Sequence, residues 1–184
     1  MRPTCAILQS LCLHCGLCCN GGLFRDVELQ AGDDWERLKA LGLPVKTARS
    51  KTRLPQPCAA FDGGRCRIYA GRPARCRQFD CALLVAVRDE SLSPAAAACV
   101  IRQTLRLLEL VEKGLRRLGE DDAQAPLQLR FRRMVRRLET GGADARSAAW
   151  FGRLTLAWHQ LNLRLHDSFL RCDSEAGARP GRFV

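Results

Sequence analysis

The sequence predicts a mainly α protein in which an irregular cysteine-rich lobe packs on an antiparallel three-helix bundle. Three observations support this. Nine of the eleven cysteines lie ahead of Ser91-Leu92-Ser93-Pro94, in short segments broken by glycine and proline. Beyond that point, three long stretches rich in arginine and leucine carry apolar residues at every third or fourth position, the mark of helices with one buried face. No internal repeat and no strand-rich segment interrupts the pattern. The expected organisation is a cysteine region at 1–92, a helical bundle at 93–172 and a flexible tail at 173–184. The full length of 184 residues suits one domain, or two small lobes sharing a core.

Taken in order, residues 33–42 (Asp-Asp-Trp-Glu-Arg-Leu-Lys-Ala-Leu-Gly) predict a short helix, capped by Asp33 or Asp34 and ended by Gly42 ahead of Pro44. Residues 45–57 are basic and carry no strong period, which predicts a loop, and Asp62-Gly63-Gly64 predicts a turn. Ser93 followed by Pro94 predicts a cap with proline at the first helical position. Ile101, Leu105, Leu108, Val111, Leu115 and Leu118 then mark the apolar face of a helix that stops at Gly119. Pro126 opens a second helix with Leu127, Phe131, Met134, Val135 and Leu138 on one side, closed by Gly141-Gly142. Asp144 caps a third, on which Trp150, Leu154, Trp158, Leu161, Leu165 and Phe169 align.

Composition narrows the setting. Hydrophobic content of 47% and charged content of 27% are those of a globular chain, so the cysteine count is the anomaly. Dense cysteine means disulfides in a secreted chain, and metal or redox chemistry in a cytosolic one. Residues 5–13 are mildly apolar behind Arg2, but Gln9 and Ser10 interrupt them and no small-x-small cleavage pattern follows. No stretch approaches the roughly 18 apolar residues of a membrane span. The cysteine total is odd, which fits a fully paired framework poorly. A cytoplasmic location with reduced thiols is therefore expected, with no membrane as partner.

The thiols fall into two clusters. The first is Cys12-Leu13-His14-Cys15-Gly16-Leu17-Cys18-Cys19, whose C-x2-C-x2-C spacing lets three sulfurs converge as the chain turns back every third residue. Adjacent Cys18 and Cys19 point in different directions in most backbone states. They are expected to serve different metals or different corners of one site. The second cluster is Cys58, Cys66, Cys76 and Cys81, separated by 7, 9 and 4 residues. Four plus four thiolates match two four-coordinate sites, either one per cluster or crossed between clusters. The predicted metal ligands are thus Cys12, Cys15, Cys18, Cys19, Cys58, Cys66, Cys76 and Cys81. Cys99 and Cys172, each isolated, are expected to be small buried apolar residues. The charge of +11, carried by 26 arginines and 4 lysines, includes Arg65, Arg67, Arg72, Arg75 and Arg77 among the second cluster, placed to offset thiolate charge.

These residues resemble the CxxCxxCC cysteine-cluster family, a zinc- or iron-chelating (YkgJ-type) family. The resemblance rests on Cys12-x-x-Cys15-x-x-Cys18-Cys19, Pro57-Cys58, Cys66-x-Ile68-Tyr69, Arg72-Pro73, Cys76-Arg77 and Cys81, and covers about residues 12–88, including Leu23-Phe24-Arg25-Asp26-Val27. It implies that the eight cysteines chelate zinc or iron, with Tyr69, Arg72 and Pro73 shaping the loop between them. Some relatives that share the cysteine pattern are flagellin lysine methylases carrying an iron–sulfur cluster. The present chain lacks their additional length, so methyl transfer does not carry over.

Zinc needs four sulfurs about 2.3 Å from one ion. A cubane accepts sulfurs farther apart and tolerates the irregular second spacing, so an iron–sulfur cluster of the 4Fe–4S type is favoured over zinc on ligand type. Metal ions are the expected partners, in a redox or metal-handling role. His14 is expected to be an exposed turn residue. His159 and His166 lie about 10 Å apart along one helix, too far to chelate one ion. Asp62 and Asp80 are expected to be solvated. The run Arg130, Arg132, Arg133, Arg136 and Arg137 forms a basic face, solvated by default; a protein or RNA partner on the Arg130–Arg137 face is the alternative, in which the chain is a zinc-stabilised basic module binding nucleic acid or an acidic protein. No Gly-rich phosphate loop and no Ser/His/Asp arrangement is present, so no reaction is assigned.

Overall fold

The capping signals operate where the sequence places them. The computed structural model describes residues 5–48, 50–141 and 144–170. In chain order these residues form α1 (Cys5–Cys15), β1 (Asp26–Glu28), α2 (Trp35–Ala40), β2 (Lys46–Ala48), β3 (Lys51–Pro55), α3 (Ala74–Gln78), α4 (Ala82–Arg88), α5 (Pro94–Arg117), α6 (Leu127–Gly141) and α7 (Ala145–Leu165). Ser93 Oγ accepts a hydrogen bond from the Ala96 amide at 3.2 Å, and Pro94 starts α5. Asp144 Oδ1 accepts from the Ser147 amide at 2.6 Å and starts α7, which runs on into a π turn at His166–Leu170. Asp34 Oδ1 accepts from the Arg37 amide at 2.8 Å and starts α2. Gly142, Cys172 and the tail at 173–184, all addressed by sequence expectations, lie outside the described residues.

α5 and α7 run in opposite directions: Phe169 meets Ile101 near one end of the pair, and Leu154 meets Gly114 near the other. A Cβ on Gly114 would stand 3.0 Å from Leu154 Cδ1, so the missing side chain sets how closely the two helices approach. α6 joins through Phe131, whose ring stacks on Trp158 at 4.4 Å between centroids. α1 and α4 also pack on α5. As a result Leu17, Leu23, Phe24, Leu83 and Val87 share one apolar core with Ile101, Val111, Met134, Leu161 and Phe169. Burying side chains of this size stabilises by about 1.5–3 kcal/mol each. The core is therefore continuous across the expected 92/93 boundary.

The cysteine region departs from expectation in two ways. Residues 45–57, expected as loop, contain two strands of a three-stranded antiparallel sheet in the order β1-β3-β2, with Val27 opposite Leu54 and Thr47 opposite Thr52. The alternation that would announce a strand is missing because charge pairs take its place. Arg53 reaches Asp26 at 2.6 Å and Glu28 at 2.9 Å, and Lys51 reaches Glu28 at 3.1 Å. A second, smaller core of Val27, Leu38, Leu43, Leu54 and Ala60 lies under this sheet. The other departure is that the last two cysteines of the second cluster sit on or beside short helices, α3 and α4; the first cluster begins on helix α1, one of the two kinds of turn its spacing allows.

The basic face of α6 is also revised. Arg130 is buried and donates to the Glu120 carbonyl at 3.1 Å. Arg137 donates to the carbonyls of Leu118 and Gly119, and Arg133 pairs with Asp122 at 2.7 Å. Arg137 thus caps the C-terminal end of α5, where helix carbonyls lack amide partners, while Arg130 and Arg133 hold the segment that follows it. Arg132 and Arg136 are exposed. No helix among the described residues is long and apolar enough to cross a membrane.

Candidate metal centre

The eight cysteines are carried to one place by elements that each have a local cause. α1 presents Cys12 and Cys15 on its last turn, and the chain then turns at Gly16 to place Cys18 and Cys19. Gly16 has φ +63°, and a Cβ there would come 2.4 Å from Phe61 Cζ, so glycine is what lets the ring of the second segment lie on the loop of the first. The Cys58 amide donates to the Cys19 carbonyl at 2.7 Å, a direct fastening of one segment to the other. Asp33 performs a distant cap. Its Oδ1 accepts from the Ala74 amide at 2.7 Å, opening the short helix that carries Cys76, while Oδ2 accepts from the Gln30 amide at 2.8 Å. Cys81 precedes α4 in extended conformation and is buried.

All eight predicted ligands line one or both of two adjoining cavities. The larger, of about 80 Å³, is bordered by Cys12, Cys18, Cys19, Cys58, Cys66 and Cys76. The smaller, of about 50 Å³, is bordered by Cys12, Cys15, Cys18, Cys19 and Cys81. Gly16 and Phe79 face both, and Phe79 is held edge-on to Phe24 at 5.2 Å between centroids. Among the described residues no three His, Cys, Asp or Glu side chains stand as the shell of a single ion. The thiols stand around volumes instead. By this measure one water needs roughly 10–15 Å³, so each cavity has room for several atoms.

Burial dominates the acid–base character of these sulfurs. It pushes the thiols of Cys15, Cys76 and Cys81 up to about 12, and raises those of Cys12, Cys18, Cys19 and Cys58. Neighbouring thiols add to the rise, because a second negative charge nearby opposes ionisation. Opposing influences favour the thiolate. The backbone amide of Leu17 faces the sulfur of Cys15, those of Ala60 and Phe61 face Cys58, and those of Leu84 and Leu83 face Cys81. Arg72 lowers Cys12 and Cys76, and Arg67 lowers Cys58. Amides aimed at a buried sulfur help only its charged form, which a cation would also stabilise.

Four of the five arginines of the second cluster divide in use. Arg72 and Arg67 act on thiols, and Arg72 also stacks on the Tyr69 ring at 3.5 Å and donates to the Tyr69 carbonyl at 2.9 Å. Arg75 acts on Glu28, and Arg77 donates to the Arg72 carbonyl at a short contact. His14 bonds the Ser10 carbonyl at 2.7 Å and stays exposed; His159 and His166 are exposed on the far helix. Asp80 pairs with Arg88 at 2.6 Å. Cys99 is half-buried beside Gln103 and belongs to neither core, a revision of its expected role.

One residue escaped the sequence reading altogether. Gln56 is 2% exposed on the wall of the larger cavity, and its Oε1 has no hydrogen-bond partner among the described residues. A buried amide without a partner marks a place where an occupant supplies one. Only its position two residues before Cys58 could have drawn notice.

Residues 11–100 match the family model CxxCxxCC, described as a putative zinc- or iron-chelating domain. No curated protein and no solved structure matches the chain.

Proposed function

We propose, from the membership of residues 11–100 in the CxxCxxCC family, that Cys12, Cys15, Cys18, Cys19, Cys58, Cys66, Cys76 and Cys81 hold metal as thiolates, as iron–sulfur clusters of the 4Fe–4S type in preference to zinc. The observation that carries this is the meeting of eight thiols from two distant segments around two adjoining cavities. The residues fit such a group. Amides and arginines favour thiolate, and each volume suits a multi-atom occupant better than a lone ion at about 2.3 Å from four sulfurs. Bound clusters would supply one-electron chemistry. The chain's own part is to shield them in apolar surroundings and to steady their charge with Arg67, Arg72 and backbone amides.

A redox or metal-handling role in the reducing cytoplasm follows, since the thiols must stay unoxidised to bind. The basic-module alternative has less support, because Arg130, Arg133 and Arg137 are engaged with Glu120, Asp122, Leu118 and Gly119 of the chain itself.

Anaerobic purification with iron, zinc and acid-labile sulfide analysis tests the proposal. About eight iron and eight sulfide per chain, with broad visible absorbance, is the expected result. A colourless chain with about two zinc would replace the cluster by zinc. Absence of both metals would overturn the reading.

A further inference from the structure

We infer that the eight thiols divide across the two segments and not along them: Cys12, Cys15, Cys18 and Cys81 serve the smaller cavity, and Cys19, Cys58, Cys66 and Cys76 serve the larger. This rests on the metal-binding reading above and assigns its ligands to two separate centres.

The walls supply the first argument. Cys58, Cys66 and Cys76 border only the larger cavity, and Cys15 and Cys81 border only the smaller. Cys12, Cys18 and Cys19 border both. A tetrathiolate site in each cavity therefore takes one of these three sulfurs on the larger side and two on the smaller. Cys19 is the one for the larger. Its carbonyl accepts from the Cys58 amide at 2.7 Å, which ties it to the segment that walls the larger cavity.

Packing gives the same division independently. Cys15, Cys18 and Cys81 pack with the helical core, whereas Cys58 and Cys76 pack with the core under the sheet. The doubled cysteine stands at the seam, where Cys18 and Cys19 both border the two chambers. A division along the chain would require Cys81 to serve a cavity that it does not border.

Two double variants, loaded anaerobically with iron and sulfide, separate the arrangements. Cys15→Ala with Cys81→Ala removes two ligands of one centre and is expected to keep about half of the wild-type metal. Cys76→Ala with Cys81→Ala strikes both centres and is expected to keep little. The reverse order overturns the crossed assignment, and so does equal retention in the two variants. If neither double variant folds, the intact chain loaded with cadmium decides by NMR. Cys81 β-protons coupled to the same cadmium as those of Cys15 support the assignment, and coupling to the same cadmium as Cys58 overturns it. A wild-type chain that takes up no metal contradicts the metal-binding proposal itself, and is distinguished by that from a failure of the ligand assignment.

Discussion

The helices from α5 to α7 and the segment from Cys12 to Cys81 obey different rules. In the helical part, contacts repeat along each element, and one apolar stripe on α5 meets another on α7. In the cysteine part, single contacts between residues distant in sequence do the positioning: Asp33 on the Ala74 amide, Cys58 on Cys19, and Phe61 over Gly16. Repetition makes the first region tolerant of losing any one contact. The second has little repetition, so the loss of one such contact leaves few others to hold its neighbours.

Removing metal should give the largest contrast. Structural metal sites contribute on the order of 10 kcal/mol to folding. Chelation is therefore expected to lower the exchange protection of residues 12–81 sharply, without unfolding them below about pH 9, while α5–α7 keep most of their helical signal, as followed by hydrogen exchange and circular dichroism. Simultaneous loss of protection in both regions would break the contrast and make them one cooperative unit.

Phe169→Ala probes where the regions join, since Phe169 is buried in the helical core and also lines the smaller cavity. A cost of about 3–5 kcal/mol is expected. Denaturant midpoints should fall, with weakened metal retention alongside. A stability loss without any change in metal retention would show the smaller cavity to be insulated from the helices.

pH separates the regions next. The thiols of Cys15, Cys76 and Cys81 are raised from 9.0 to about 12 in the folded, metal-free chain. Between these values the unfolded chain binds fewer protons than the folded one, so stability is full below about pH 9 and is lost as pH climbs toward 12. The loss should reach a few kcal/mol and be confined to the cysteine region in exchange experiments. Loaded protein should show the opposite sense and release metal on acidification, because protons compete for the thiolates.

The smallest effect comes from matched caps. Asp33→Ala and Asp144→Ala each remove a carboxylate from a helix start and should cost about 0.5–2 kcal/mol. Only Asp33→Ala should also loosen metal retention, through Cys76. Equal retention in both variants would separate the α3 cap from the site.

Much of the helical region was legible because its instructions are local. Ser93-Pro94 and Asp144 start helices within three residues of the groups they cap, and apolar spacing alone selects the buried faces of Ile101, Val111, Leu154 and Leu161. The eight cysteines that line the two cavities were legible as two clusters along the chain, though not which of them share a cavity. The sheet was not. Its strands are specified by Arg53 and Lys51 pairing with acids more than twenty residues upstream, a relation without a period. The fate of Arg130 was hidden likewise: from the sequence it belongs to a basic stripe, and only the position of the Glu120 carbonyl turns it inward. Nor could spacing reveal that Gln56 ends on the wall of the larger cavity with no partner for its Oε1 among the described residues.

Cys15 and Cys81 share a chamber wall although Cys81 comes much later in the chain. Synthesis runs from the N-terminus, so a ribosome delivers Cys12, Cys15, Cys18 and Cys19 well before the residue that completes that wall emerges. For those seconds the early thiols stand in water as ordinary, reactive groups, open to oxidation or to a wrong cation. The newborn chain thus depends on its surroundings for protection that the finished fold later provides by itself.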